Sequence, residues 1–249
     1  MGKKALVTGA SGGIGYAFAH ALAKDGYTIT AVARSEEKLK KLTAELPSGD
    51  HRYKVADLSD PAHISQLADH ISETKYDLLI NNAGAGIYDW FAETEIAQHK
   101  RIMRLNIDAV TTLAHAFLAR AREGDALVNV ASILAFLPYA PAGVYAATKA
   151  FVLSLSEGLW YEQKGKGVYV MALCPGVTDS GFHEAAGGQP HEKPSAFLTQ
   201  TADEVVSEAL RALDRRKKPV IISGWKNRVG LFLTRFLSRK KLVSIVAKW

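Results

Sequence analysis

The sequence predicts a doubly wound α/β fold, a parallel sheet of about seven strands covered by helices on both faces, in one domain with a C-terminal helical tail. Three observations predict it. Short apolar runs alternate with longer helical patterns along most of the 249 residues. A glycine-rich turn, Gly9 to Gly15, follows the first apolar run and opens the first helical pattern. No internal repeat, low-complexity run or linker divides the chain before residue 224, and its length suits one α/β domain with a substantial core.

Residues 4–8 form the first strand, and 14–24 a helix stopped by Asp25-Gly26. Residues 28–33 are a second strand, after which Ser35 caps a charged helix over 36–45. A third strand at 53–55 ends in Asp57-Leu58, and Asp60-Pro61 starts the next helix. The fourth strand, 78–80, runs into Asn81-Asn-Ala-Gly84. A long helix over 95–120 precedes a fifth strand at 126–130, and a helix over 143–164 precedes a sixth at 168–173. Residues 220–222 read as the seventh. Residues 178–200, rich in Gly and Pro with Phe182 and Phe197 between them, follow a strand's C-terminal end and suit a substrate lid.

Composition narrows the class. The single Cys174 excludes an internal disulfide and fits a reducing compartment, as a small apolar residue near a strand end. Met1-Gly-Lys-Lys runs directly into the first strand, so no signal peptide and a cytoplasmic location are expected. No stretch reaches the roughly 18 apolar residues of a spanning helix. The net charge is +6, but residues 225–249 carry seven basic side chains and no acidic one, which leaves the rest close to neutral. Nucleic-acid binding would instead spread basic and aromatic residues over one face, and is not expected.

The motifs point to hydride chemistry. Gly9, Gly13 and Gly15 lie between a strand and a helix, where a backbone turn lets a dinucleotide pyrophosphate approach a helix N-terminus. Ser11 and the amides near Ile14 are the expected phosphate ligands. The second strand ends in Ala33-Arg34, where a cofactor with a free 2′-hydroxyl would want a carboxylate. A guanidinium there pairs with a 2′-phosphate, so NADP(H) is preferred and NAD(H) is possible; otherwise Arg34 is a solvated charge beside Glu36 and Glu37. Asp57 either accepts from an adenine amino group or caps the following helix, and Leu58 accompanies it. Asn82 and Gly84 sit at the crevice end of strand four, where Asn82 binds cofactor, ties strands together, or both. Tyr145 and Lys149 share one helix face, where an ammonium favours the phenolate. Ser132 closes strand five beside them. Asn106 is an amide in an apolar run, and a buried amide there implies a distorted helix or a water relay.

Taken together, the Thr8-Gly-x-x-x-Gly-x-Gly15 turn, Asp57, Asn81-Asn-Ala-Gly84, Asn106, Ser132, Tyr145-x-x-x-Lys149 and Pro175-Gly176 resemble the classical short-chain dehydrogenase/reductase family over about 1–223. The resemblance implies a Rossmann-type fold and a catalytic tetrad of Asn106, Ser132, Tyr145 and Lys149. Tyr145 would donate a proton to a carbonyl that receives hydride, and Ser132 would hold the carbonyl oxygen. Lys149 would bind the nicotinamide ribose and lower the tyrosine pKa, and Asn106 would hold a water linking Lys149 to solvent. Pro175-Gly-Val-Thr178 resembles the segment that anchors the nicotinamide carboxamide, with Ser180 in place of a more usual threonine. Family habit suggests a homodimer or homotetramer through the helices at 95–120 and 143–164.

Other chemistries lack their patterns. The histidine pairs have no metal-site spacing, and Ser132 has no nucleophile elbow, so neither a metal centre nor a hydrolase is expected. An epimerase or dehydratase of the longer family branch would need a substrate domain for which the chain leaves little room. The expected function is oxidoreduction of a small-molecule ketone or aldehyde, or of the alcohol; the alternative is a dinucleotide-responsive scaffold with little turnover. Phe136, Tyr139, Phe182 and Phe197 suggest an apolar pocket wall. In the tail, apolar residues recur at helical spacing between basic ones. Packing on the body or on a second subunit is favoured there, with membrane contact as the alternative.

Overall fold

The computed structural model describes residues 2–47, 49–187 and 199–247. Strand β1 (Lys4–Thr8) leads to α1 (Gly13–Lys24), β2 (Thr28–Ala33) to α2 (Glu36–Glu45), and β3 (Arg52–Val55) to α3 (Pro61–Glu73). After β4 (Leu78–Asn81) come α4 (Ile96–Met103) and α5 (Ala109–Leu118), and after β5 (Ala126–Val130) comes α6 (Gly143–Gln163). Strand β6 (Tyr169–Cys174) is followed by the short β7 (Thr178–Asp179) and α7 (Phe182–Ala185). Then follow β8 (Gln200–Thr201), α8 (Ala202–Arg215), β9 (Val220–Ile222), α9 (Trp225–Thr234) and α10 (Arg239–Val246).

Seven strands pair in parallel in the order β3-β2-β1-β4-β5-β6-β9, while β7 and β8 form a separate two-stranded ribbon. The winding reverses between β1 and β4, where a crevice opens outside the C-terminal strand ends. Side-chain alternation divides each strand between two apolar layers. Ala5, Val7, Ile29, Ala31, Leu78 and Ile80 face α1, α2 and α8. Leu6, Val32, Leu79 and Leu127 face α3 and α5. Both faces of the sheet are thus buried, which is why its strands read as continuous apolar runs.

The predicted caps form. Ser35 accepts from the Lys38 N–H at the start of α2, and Asp60 from the Ala62 N–H at the start of α3. The long helix expected over 95–120 is interrupted. Between α4 and α5 the five residues Arg104–Asp108 form a π-helical turn. Asn106 lies inside it, fully buried. Its side chain needs partners that a regular helix would not let it reach, so of the two expected outcomes the helix distortion is the one seen.

In the tail, Leu231, Leu242 and Val246 bury against Leu137, and Ile133, Leu134 and Tyr139 pack around them. The tail therefore rests on the segment that leaves β5 for α6. No helix among the described residues is long and apolar enough to cross a membrane.

Candidate active site

The glycine turn is fixed by close backbone contact. Gly9 and Gly13 have φ of +67° and +53°, in the left-handed region. A Cβ on Gly15 would lie 2.3 Å from the Gly9 carbonyl oxygen and 2.5 Å from Asn82 Nδ2. Asn82 ties this turn to β4: its Nδ2 donates to the Thr8 carbonyl (2.9 Å), and its backbone N–H to Thr8 Oγ1 (2.9 Å). Thr8 Oγ1 also accepts from the Ala83 N–H (3.0 Å). The tying role expected of Asn82 is therefore present. Thr8, which opens the glycine motif, is the other half of that clasp. Side chains at these glycines would collide with Asn82, Ala83, Ser180 and the Gly9 carbonyl, so the turn keeps the tight backbone form that suits close approach of a pyrophosphate.

At the adenosine end, Arg34 is exposed and its guanidinium makes no hydrogen bond among the described residues. Asp57 does not cap α3, a position Asp60 holds. Its Oδ1 accepts from the Ser59 N–H (3.0 Å) and hydroxyl (2.7 Å), and its Oδ2 from Arg101 (3.2 Å). Burial pushes the Asp57 carboxyl up, but the Ser59 hydrogen bonds and the charges of Arg101 and Arg34 outweigh it and hold the group below the usual range. Leu58 turns its side chain into the core, which leaves only its backbone for a ligand.

At the other end, Ser132, Tyr145 and Lys149 are all buried and gather at the C-terminal ends of β5 and β6. Ser132 is hydrogen-bonded to Tyr145, and its Oγ accepts from the Leu134 N–H (3.1 Å). Lys149 Nζ donates to the Val130 carbonyl (2.7 Å) and lies 5.7 Å from the Tyr145 ring centroid. The Asn106 side chain accepts from the Ala85 N–H (3.1 Å) and donates to the Ala85 carbonyl (2.9 Å) and to Thr148 Oγ1 (3.0 Å). Asn106 Oδ1 and Lys149 Nζ converge on Gly84, where an added Cβ would be 3.3 Å from each.

One electrostatic expectation is corrected. The Tyr145/Lys149 spacing predicts an ammonium that lowers the phenol pKa. Instead burial raises Tyr145 well above its ordinary value, with the nearby Tyr88 adding to the rise and the Ser132 hydrogen bond opposing it. Burial also lowers Lys149 to about 8. Both groups share one dry crevice, where charge on either is disfavoured, and the lysine nitrogen is turned to a carbonyl rather than to the phenol.

Pro175, Gly176 and Thr178 leave β6 directly beside these residues. The Pro175 carbonyl accepts from the Ile133 N–H (2.9 Å), and Thr178 Oγ1 donates to the Gly176 carbonyl (3.1 Å). A Cβ on Gly176 would sit 2.3 Å from Nδ2 of Asn227, on α9. Asn227 was missed by sequence reasoning, because nothing local marks a contact across fifty residues.

The mouth of the cleft is aromatic. The Phe182 ring stands 5.4 Å from that of Tyr145, and Tyr88 contacts both Tyr139 (6.1 Å) and His183 (5.1 Å). The Tyr88 N–H donates to the Ala186 carbonyl (2.9 Å), and a Cβ on Gly13 would meet Ser180 at 2.7 Å. Residues 178–187 thus lie folded over the cleft. Phe136 instead packs between the tail and the β6–β9 side of the core. Phe197 and most of the remaining lid expectation fall outside the described residues.

The sequence-family description "short chain dehydrogenase" matches residues 3–190. The probable oxidoreductase EphD of Mycobacterium tuberculosis is 31% identical over 234 residues, 86% of this chain. The chain spans only 40% of that relative's length. Among solved structures, a short-chain dehydrogenase from Sphingobium yanoikuyae in complex with NADPH is 31% identical, with a TM-score of 0.83, and 95% of this chain and 97% of that one are covered. A bulky-bulky ketone specific alcohol dehydrogenase from Comamonas testosteroni is also 31% identical, with a TM-score of 0.79 and coverage of 94% and 92%.

Proposed function

The chain belongs to the short-chain dehydrogenase/reductase family, and on that premise we propose that it interconverts an apolar ketone or aldehyde and its alcohol with NADP(H). The observation that carries this reading is the burial of Ser132, Tyr145 and Lys149 together beside a turn that only glycines fit. When bound, the nicotinamide supplies or accepts the hydride. Tyr145, kept protonated at neutral pH by its dry surroundings, donates its hydroxyl proton to the carbonyl oxygen. Ser132, hydrogen-bonded to Tyr145, holds that oxygen. Lys149 binds the nicotinamide ribose, and Asn106 keeps the proton route between Lys149 and solvent. In the oxidative direction Tyr145 must first lose its proton, so alcohol oxidation is favoured at alkaline pH.

The cofactor's pyrophosphate is assigned to the backbone of Gly9, Gly13, Ile14 and Gly15 with the Ser11 hydroxyl. Asp57 and the Leu58 backbone receive the adenine; Asn82 and Gly84 border the ribose side, and Pro175, Gly176 and Thr178 take the carboxamide. Arg34 supports NADP(H) over NAD(H), because it offers an unengaged guanidinium where a carboxylate would be needed for a free hydroxyl. Similar solved structures hold NADPH or NAD, so the preference rests on Arg34. Residues 178–187 act as a lid over a wall of Tyr88, Tyr139 and Phe182, and this apolar wall fits a bulky carbonyl compound, in line with the description of the Comamonas relative. Helices α4 to α6 are the proposed faces of a homodimer or homotetramer, a state that sedimentation velocity would read.

The test is a panel of aliphatic, aromatic and steroid carbonyl compounds, assayed with NADPH and with NADH. Tyr145→Phe is expected to lower kcat by about 10²- to 10⁴-fold while NADPH binding persists. Undiminished turnover in that variant removes Tyr145 as the acid. Tight NADPH binding by the wild type with no turnover across the panel would favour a dinucleotide-responsive scaffold.

A further inference from the structure

The tail presents two faces. One buries Leu231, Leu242 and Val246 on the body. The other carries Trp225, Val229, Phe232, Leu233 and Phe236, spaced so that they fall on a single side of α9 and of the turn after it. Each is at least half exposed, Trp225 at 62% and Phe236 at 74%. The Phe232 and Phe236 rings pack edge to face at 5.5 Å, which makes them one continuous apolar surface. Where this surface ends, Arg235, Arg239, Lys240 and Lys241 stand exposed, with no salt-bridge partner among the described residues.

We propose that this stripe seats the protein on an anionic membrane surface, with α9 lying in the plane of the interface. Charge complementarity selects this occupant. A second copy of the stripe would bring no opposite charge to the basic run, since residues 225–249 hold no carboxylate side chain. Anionic headgroups neutralise the same charges, while Trp225, Phe232 and Phe236 enter the boundary between headgroup and acyl chain. Helices of ten and eight residues are too short to span a bilayer, so an in-plane position is the one open to them. The tail also packs against Tyr139, which borders the aromatic mouth, so the docked orientation holds the cleft entrance close to the bilayer.

The experiment is flotation of the full chain with vesicles of phosphatidylcholine alone and with vesicles containing about one-third phosphatidylserine. The protein is expected to float with the anionic vesicles only, and to be released at about 0.5 M salt. Phe232→Ser with Phe236→Ser, and separately Arg239→Glu with Lys240→Glu and Lys241→Glu, are each expected to lower the bound fraction about tenfold or more. Circular dichroism and the thermal midpoint should stay unchanged, because these side chains are exposed and acidic residues suit the first turn of α10. Equal flotation on both compositions, or on neither, overturns the proposal, as does wild-type binding by both variants. A dimer in sedimentation velocity that Phe232→Ser with Phe236→Ser dissociates, without vesicle binding, assigns the stripe to self-association instead.

Discussion

The two ends of the crevice are built by different means. At the cofactor end the glycine backbone itself makes the contacts: Gly9, Gly13 and Gly15 close against Asn82, Ser180 and the Gly9 carbonyl at distances that admit no side chain on the glycines. At the substrate end, side chain meets side chain: Phe182 on Tyr145, and Tyr88 on Tyr139 and His183. A backbone cradle recognises groups that every dinucleotide shares. An aromatic wall can be recut by single substitutions. The difference explains why family membership follows from one turn and a few polar residues, while the substrate depends on positions that have no fixed pattern.

The comparison can be broken most severely at Gly15. Gly15→Ala forces a methyl into the Gly9 carbonyl and the Asn82 amide, and should cost about 3 kcal/mol of stability or abolish folding. Thermal unfolding with and without NADPH reads this, and an unaltered midpoint would show that the cradle is less rigid than its contacts imply. The buried lysine comes next. Its folded pKa of about 8 lies below its ordinary value of 10.5, so the unfolded chain binds the extra proton between those limits. The stability Lys149 contributes is complete above about 10.5 and lost as pH falls through 8. From pH 8 to pH 10 the wild type should gain about 2 kcal/mol relative to Lys149→Met, read from denaturant midpoints. A parallel pH dependence in the two proteins would mean that the amine is solvated.

Arg34→Ala should weaken NADPH about tenfold and leave NADH nearly unchanged, as titration of both cofactors would show. Equal loss of both would reduce Arg34 to a general surface charge. The smallest expected effect is at the aromatic end. Phe182→Ala should raise KM a few-fold for bulky ketones and little for small ones, in keeping with roughly 1 kcal/mol for an aromatic contact. A change in kcat alone would instead place Phe182 in the positioning of Tyr145.

The sequence makes the sheet legible because both faces of every central strand are buried, so apolar runs and strands coincide. The caps at Ser35 and Asp60 are legible because they depend on residues within one helical turn. The π-turn around Asn106 was half legible: a buried amide requires partners, but Ala85 and Thr148 become its neighbours only through tertiary packing. The sign of the electrostatics at Tyr145 was not legible. Helical spacing reports which residues are adjacent and says nothing of how dry the crevice is, or that the Val130 carbonyl takes the lysine. Asn227 escaped for the same reason, as did the assignment of Phe136 to the tail rather than to the pocket wall.

The contact of Asn227 with Gly176 also bears on the order in which the site comes into being during synthesis. The glycine turn, the clasp through Thr8 and Asn82 and the Ser132/Tyr145/Lys149 cluster are all encoded in the first 149 residues. The floor beneath Gly176 is not: β9 joins β6 only at residues 220–222, and Asn227 follows on α9. At about 5–20 residues per second, a nascent chain spends several seconds with its cradle emerged and its cleft unfinished. Residues 220–227 thus work as a closing key, and a ribosome that stops short of them leaves a cradle with no completed cleft beside it.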